Sequence, residues 1–525
     1  MEFRVLDVSC VLALMAAIVA GVLHRYMLPQ RRRVSTSCTG GACACAWSAL
    51  PPPPGPVGNP VLGNLLYVIG PLRHNPHRGL AKLSGTYGPI LSLRLGLTRT
   101  LVVVSSSAVA HEALVKKDAA LAARLVPDNV QALSYGTTSM VFLPSSDQLW
   151  KRLRVVTGAG FSSSRGLDVI RPILERRARG LAEHLRSPSC SGGRPVNIRD
   201  AVNTTILSVI SNVLFSEDVV ADFKSLIVPV LEEWSKPSVC DAFPLLAPLE
   251  HLLGSRRRIS AHLAKLYKFF DQGIIERRLA ASSGEDHAHH HNDLLDVLLS
   301  KHYSMSKLTR QEITTFLTDM FIAASDTSTV TVQWAMARLL FHPEKMKKVK
   351  AELATQLGSQ NFVAESDLNK LPYLHGVVKE TLRLHPAVPL IPREVVAEDG
   401  VSLGGFHVPK GTGVVVNLWA IGRDKAAWPD RPEEFIPERF LADGAQKQQQ
   451  QQLKEDFRPF GAGRRVCPGT DYTMRSVPLL LASLLHKIQW VLPDGLKPED
   501  MDLGDRYGTV LNLATPLHAV PVIMC

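Results

Sequence analysis

Apolar residues crowd the first stretch of the chain: from Val5 to Leu23 only Asp7 and Ser9 interrupt them. About nineteen residues at 1.5 Å each just cross a hydrocarbon core of ~30 Å, so the segment reads as a membrane-spanning helix. It is longer than an ordinary signal-peptide core and has no basic run before it, while the small residues near Ala20 leave a cleaved signal as the other reading. Basic residues follow instead, at His24, Arg25, Arg31, Arg32 and Arg33, an order that places the rest of the protein on the cytosolic side. Beyond them the periodicity changes. Ile90 to Leu95 and Thr100 to Val104 alternate on either side of a turn at Gly96, the pattern of a β-hairpin. A second β-rich region runs from Val401 to Leu418, broken at Gly404-Gly405 and at Pro409-Lys410-Gly411. Between about 108 and 390 helical spacing dominates, with Gln311 to Phe341 a long example. The expected fold is mainly α with small β-sheets, preceded by one N-terminal transmembrane helix. It divides into an anchor over 1–27, a basic and proline-rich hinge over 28–56, and one folded body over 57–525. Within the hinge, Pro51 to Pro56 reads PPPPGP, and consecutive prolines predict a stiff extended spacer, with an SH3-type ligand as the other reading.

Composition narrows the picture further. Apolar residues make up 46% and charged residues 20% of 525, which excludes a disordered chain. The excess of 59 basic over 48 acidic residues gives +11. That excess could suit nucleic acid, an anionic membrane face or an acidic partner, and because the basic residues are scattered along the chain it selects none of them. Eight cysteines without any CxxC pair are too few for a disulfide scaffold and fit a reducing compartment. Cys38, Cys43 and Cys45 have no histidine or carboxylate nearby to complete a metal site. The stretch from Glu285 to His291 and the tract Gln448 to Gln452 read as solvated insertions. The sequon at Asn203 matters only if the body is lumenal.

The chemistry concentrates in FGAGRRVCPG, Phe460 to Gly469. A lone thiolate in a loop can bind haem iron axially, neighbouring arginines supply cations for haem propionates, and glycines let backbone amides approach the sulfur. A core cysteine alone has no use for Gly461, Gly463, Pro468 and Gly469 together. Here the chain resembles the cytochrome P-450 haem-thiolate monooxygenases, whose F-x-x-G-x-R-x-C-x-G signature is matched at Phe460, Gly463, Arg465, Cys467 and Gly469. Further landmarks follow along nearly the whole chain. Glu380 and Arg383, three apart and so on one helical face, match the family's E-x-x-R pair, which Arg439 of Pro437-Glu438-Arg439-Phe440 completes. Ala323-Ala324-Ser325-Asp326-Thr327-Ser328 matches the oxygen-activating segment, with Asp326 and Thr327 expected at a helix break to relay protons. Trp150 and Arg154 match W-x-x-x-R, and with Arg393 and Arg465 they are implied contacts of the haem propionates. Two departures stand out: Ala324 replaces the usual glycine, and Thr473 follows the cysteine where apolar residues ending in alanine are common.

The resemblance implies one haem b, with Cys467 as the axial iron ligand, and electrons from NADPH through a membrane-bound NADPH–cytochrome reductase, with cytochrome b5 as a further donor. It implies insertion of one oxygen atom from O2 into a small lipophilic metabolite. The anchor, the proline hinge, KETLRLHPAVPL and VVVNLWAIGRD are similar to a plant endoplasmic-reticulum enzyme with a cytosolic catalytic domain, nearest the geraniol-hydroxylase-like oxidases of mono- and diterpenoids. A phenolic or flavonoid hydroxylase of the same family is the alternative. A haem-thiolate isomerase or dehydratase, which uses neither O2 nor a reductase, is expected to lack the Asp326–Thr327 pair.

Overall fold

A computed structural model describes residues 50–70, 72–187, 193–236, 238–243, 255–282, 293–299, 308–441 and 456–523. The chain separates into one unit over Met1–Ala49 and another from Leu50 onward, and the described residues belong to the second. The expected anchor, the three N-terminal-region cysteines, the His-rich stretch and the glutamine tract therefore lie outside the described residues. Among the described residues, no helix is long and apolar enough to cross a membrane.

The longer helices are α1 (Pro76–Tyr87), α2 (Gln148–Phe161), α3 (Ser164–Arg186), α4 (Ile198–Phe215), α5 (Val220–Trp234), α6 (Ser255–Phe270), α7 (Arg310–Phe341), α8 (Pro343–Leu357), α9 (Pro372–Leu384) and α10 (Thr470–Leu485). Short polar side chains mark several starts: Asp147 accepts from the Leu149 amide ahead of α2, and Ser163 accepts from Gly166 ahead of α3. Ahead of α7, Thr309 accepts from the Glu312 amide while the Glu312 carboxylate accepts from the Thr309 N–H at 2.6 Å. Such a reciprocal cap satisfies two otherwise orphaned amides. Helix α7 is buried nearly all round, as a central helix must be. At its middle Phe321 meets Phe215 of α4 at 5.5 Å, Phe223 of α5 at 4.2 Å and Phe270 of α6 at 5.8 Å. Truncating one such ring costs about 3–5 kcal/mol, and here it would loosen four helices at once.

Eleven strands form four small sheets among the described residues: β1 (Ile90–Leu95), β2 (Arg99–Val104), β3 (Val196–Asn197), β4 (Leu390–Glu394), β5 (Val401–Leu403), β6 (Phe406–Val408), β7 (Gly413–Asn417), β8 (Ile488–Val491), β9 (Asp505–Tyr507), β10 (Leu511–Leu513) and β11 (His518–Ile523). The expected hairpin is β1–β2, with Ile90 opposite Val104. Its β2 edge pairs in parallel with β7, Leu101 opposite Gly413, and β4 adds antiparallel on the far side. The expected second β-rich region thus separates into the β5–β6 hairpin, turning at Gly404 and Gly405 with positive φ, and the central strand β7.

The proline run forms neither helix nor strand, and it is docked on the body rather than standing free as a spacer. Prolines bring only acceptors, and here donors meet them: the Ser92 amide reaches the Pro54 carbonyl at 2.7 Å, Ser92 Oγ reaches Pro53 at 2.8 Å, and the His407 amide reaches Pro51 at 2.9 Å. A Cβ at Gly55 would sit 2.0 Å from the Ser92 carbonyl oxygen, so the close approach requires glycine.

Candidate active site

The cysteine loop leads directly into α10, and its ends are tied down. The Cys467 amide donates to the Phe460 carbonyl at 3.0 Å, and the Arg464 amide donates to Asp118 at 3.0 Å. Gly463, at φ +69, could carry no side chain: its Cβ would lie 2.2 Å from the Leu114 carbonyl oxygen. Helix α10 starts three residues after Cys467; the Gly469 N–H lies on the sulfur side of the loop, and the Thr470 hydroxyl donates to the Cys467 carbonyl at 2.8 Å. Burial pushes the Cys467 thiol up; the Gly469 N–H and Arg154 pull against it. A donor, a cation and a helix start all favour the thiolate, and a coordinated metal removes the proton outright. Phe460 is part-buried and packs against the main core.

Around this loop stand four arginines without an acid. Arg154, one turn after Trp150 on α2, donates to the Val466 carbonyl at 2.5 Å. Arg465 donates through Nε to the Ala122 carbonyl at 2.7 Å and through its other nitrogens to Met140, Val141 and Leu143. Arg393 and Arg124 both reach the Pro392 carbonyl, at 3.0 and 3.1 Å. Among the described residues, none of the four has a carboxylate within ion-pair reach. The Trp150 ring lies 5.1 Å from the Arg465 guanidinium and 5.9 Å from that of Arg154. Burial and mutual repulsion push Arg393 down to about 8, Arg465 down to about 9, and burial alone pushes Arg124 down to about 10. Arg124 Nε is buried without a hydrogen-bond partner. Buried like charges of this kind call for an anion. A thiol that could ligate iron, beside cations that could meet two propionates, is the donor set of haem, and the residues present fit it. Arg124 was invisible in the sequence, where it stands in an unremarkable AARLV context.

The segment on α7 departs from expectation. No helix break occurs at Ala323 to Ser328; α7 is continuous from Arg310 to Phe341. The reason is local: Thr327 Oγ1 donates to the Ala323 carbonyl at 2.7 Å, one turn back, which satisfies the hydroxyl inside an intact helix. Asp326 turns instead to Arg199 of α4, at 3.1 Å. Burial raises the Asp326 carboxyl, with Arg199 and Lys224 opposing. Ala324 is partly buried and packs against the main core, and Thr473 is buried on α10. Asn203 is buried on α4, its amide donating to Thr329 at 3.3 Å.

Glu380 and Arg383 meet as their spacing predicts, by two bonds of 2.7 Å. Arg439 adds a third at 3.3 Å, and the Ile436 amide donates to the same carboxylate at 2.8 Å. Arg383 spends its remaining N–H groups on the carbonyls of Gly422, Pro432 and Glu434, which fastens the 422–434 loop to α9.

The cytochrome P-450 family model matches residues 52–518. Oryzalexin E synthase of Oryza sativa subsp. japonica is 43% identical over 481 residues, covering 90% of this chain and 91% of the relative. Ent-cassadiene C11-alpha-hydroxylase 1 of the same plant is 40% identical, over 90% of this chain and 93% of its own length. Geraniol 8-hydroxylase of Catharanthus roseus is 40% identical, over 89% and 93%. Lone thiol, acid-free arginines, mainly helical body with small sheets and matched length converge: the chain belongs to the cytochrome P-450 family, a monooxygenase that binds haem and takes electrons from NADPH through a reductase.

Proposed function

We propose that this protein hydroxylates a terpenoid, a mono- or diterpenoid of small size and low polarity. The observation that carries the substrate class is the kinship along about nine-tenths of the chain with enzymes named for geraniol, ent-cassadiene and the oryzalexins. Bound haem supplies the oxygen chemistry, one atom entering the substrate and the other leaving as water. The chain's own residues would do the rest. Cys467 would hold the iron, Arg124, Arg154, Arg393 and Arg465 would neutralise the propionates with Trp150 packed against two of these arginines, and Phe460 would close the loop. Asp326, held by Arg199, and Thr327 pass protons inward from α4 and α7. Glu380, Arg383 and Arg439 keep the 422–439 region fastened to α9. Val5 to Leu23 is proposed as an uncleaved anchor in the endoplasmic-reticulum membrane, the body cytosolic, with the reductase and cytochrome b5 as electron donors.

The test is to incubate microsomes carrying this protein and a reductase with a panel of terpenoids and phenolics, and to identify products by mass spectrometry. NADPH-dependent hydroxylation of a monoterpenoid or diterpenoid is expected. Turnover confined to phenolics would overturn the substrate class, and turnover without NADPH would point to an isomerase.

A further inference from the structure

Asp319 sits two turns before Asp326 on α7, with 1% of its surface exposed. Its carboxylate is saturated: it accepts from Tyr135 Oη, from Ser139 Oγ at 2.8 and 3.0 Å, and from the Met140 amide at 2.8 Å. Nothing is left over for a substrate. All these donors belong to one strap, Tyr135 to Leu143, that crosses from α7 to the cysteine loop. A second rivet lies beside the first, Thr138 Oγ1 to Thr315 Oγ1 at 3.2 Å, with Tyr267 of α6 joining at 3.0 Å. At its other end the strap presents the carbonyls of Met140, Val141 and Leu143 to Arg465. Carbonyls restrain a guanidinium without neutralising it, so Arg465 is aimed and its charge kept for an anion. Asp319 and Arg465 do not touch.

We propose that Asp319 is a positioning residue for the haem site: it clamps the strap whose carbonyls aim Arg465. The inference rests on the reading of Arg465 as a propionate contact. Burial pushes the Asp319 carboxyl up to about 6, despite its donors. A charge kept there at neutral pH is therefore a cost to the fold, and a role in positioning accounts for its presence.

The experiment uses the full-length holoprotein in detergent at neutral pH. Haem transfer to excess apomyoglobin gives the loss rate, and urea gives the unfolding midpoint. The variants are Asp319→Leu, Asp319→Asn, Arg465→Met and the double Asp319→Leu/Arg465→Met. Supporting groups around a metal site are worth 10–100-fold in affinity, so Asp319→Leu should speed haem loss about tenfold. Asp319→Asn should stay within about twofold, because its oxygen still accepts from Met140 while the Tyr135 and Ser139 hydroxyls turn to accept. The double variant should lose haem no faster than Arg465→Met, because the two residues act through Met140 and its strap and so should not act additively. Multiplying effects in the double variant would overturn the inference. So would parental haem loss in Asp319→Leu with a lowered urea midpoint, which marks mere support of the fold. Parental haem loss in Arg465→Met would instead overturn the propionate reading beneath it. Should Asp319→Leu fail to fold, Tyr135→Phe serves in its place, with an expected rise of about threefold that likewise disappears in the Arg465→Met background.

Discussion

Replacing Glu380 by glutamine is the sharpest probe of how the fold supports the site. The carboxylate is fully buried and serves Arg383 twice, Arg439 once and the Ile436 amide once. Glutamine keeps the shape and one acceptor oxygen, but its NH2 would face the donors of Arg383. Each charge-assisted bond is worth about 1.5–3 kcal/mol. Two guanidiniums would remain buried, at 1% and 9% side-chain exposure, without their shared anion. Breaking one partner out of such a cluster costs about 3–5 kcal/mol, a large part of the 5–15 kcal/mol by which a domain is stable. We expect Glu380→Gln to lower the unfolding free energy of the holoprotein, read from urea denaturation, by that amount and to leave most of the expressed protein without haem, read as carbon monoxide difference absorbance per mole of chain. The double variant Glu380→Leu/Arg383→Met removes both charges and should recover part of the loss. It cannot recover all of it, since the Gly422, Pro432 and Glu434 carbonyls lose their donor at roughly 1 kcal/mol each. A Glu380→Gln protein within about 1 kcal/mol of the parent and fully loaded would refute the reasoning.

Other outcomes follow from the same geometry. Cys467→Ala should abolish the thiolate-type carbon monoxide spectrum, and Cys240→Ala, in a buried turn of the helical body, should leave it intact. Thr327→Ala removes the hydroxyl held at Ala323 and should divert NADPH to hydrogen peroxide, with product falling about 10²-fold, while Ala324→Gly should raise product per NADPH. Arg199→Met removes a cation that favours the Asp326 carboxylate, so the limb of the pH–rate profile belonging to Asp326 should move to higher pH; an unmoved limb assigns it to another group. Protease added outside intact microsomes should digest the body, and its protection would reverse the proposed orientation. Asn203 should carry no glycan, and a glycan-dependent mobility shift would likewise reverse the orientation.

What the sequence reveals and what it hides divide by distance along the chain. The β1–β2 hairpin, the long helix α7 and the Glu380–Arg383 pair were legible because their partners stand within one turn or one hairpin. The cysteine loop was legible because its glycines mark positive φ, as at Gly461 and Gly463, although the Leu114 carbonyl that also crowds Gly463 was not. The parallel pairing of β2 with β7 had no local signature. Arg124 and Asp319 escaped for the same reason: their significance lies in Arg393, Arg465 and the Tyr135–Met140 strap, 180 or more residues away for most of these contacts. The expected break in α7 failed differently. Thr327 has an intrahelical acceptor one turn back, and a sequence pattern cannot tell that partner from a displaced one.

The pairing of Leu101 with Gly413 also sets a clock on biosynthesis. At about 5–20 residues per second, the roughly 310 residues between them take a quarter of a minute to a minute to leave the ribosome. Throughout that interval the hairpin can form, but the edge of Val102, Val103 and Val104 waits without the strand that will cover it. An unpaired, valine-rich edge is a template for pairing with any other chain. A nascent polypeptide stalled near residue 400 should therefore be held by chaperones or self-associate, and release past β7 and the cysteine loop should end both. Haem loading, on this schedule, belongs to the last moments of synthesis or to the time after it.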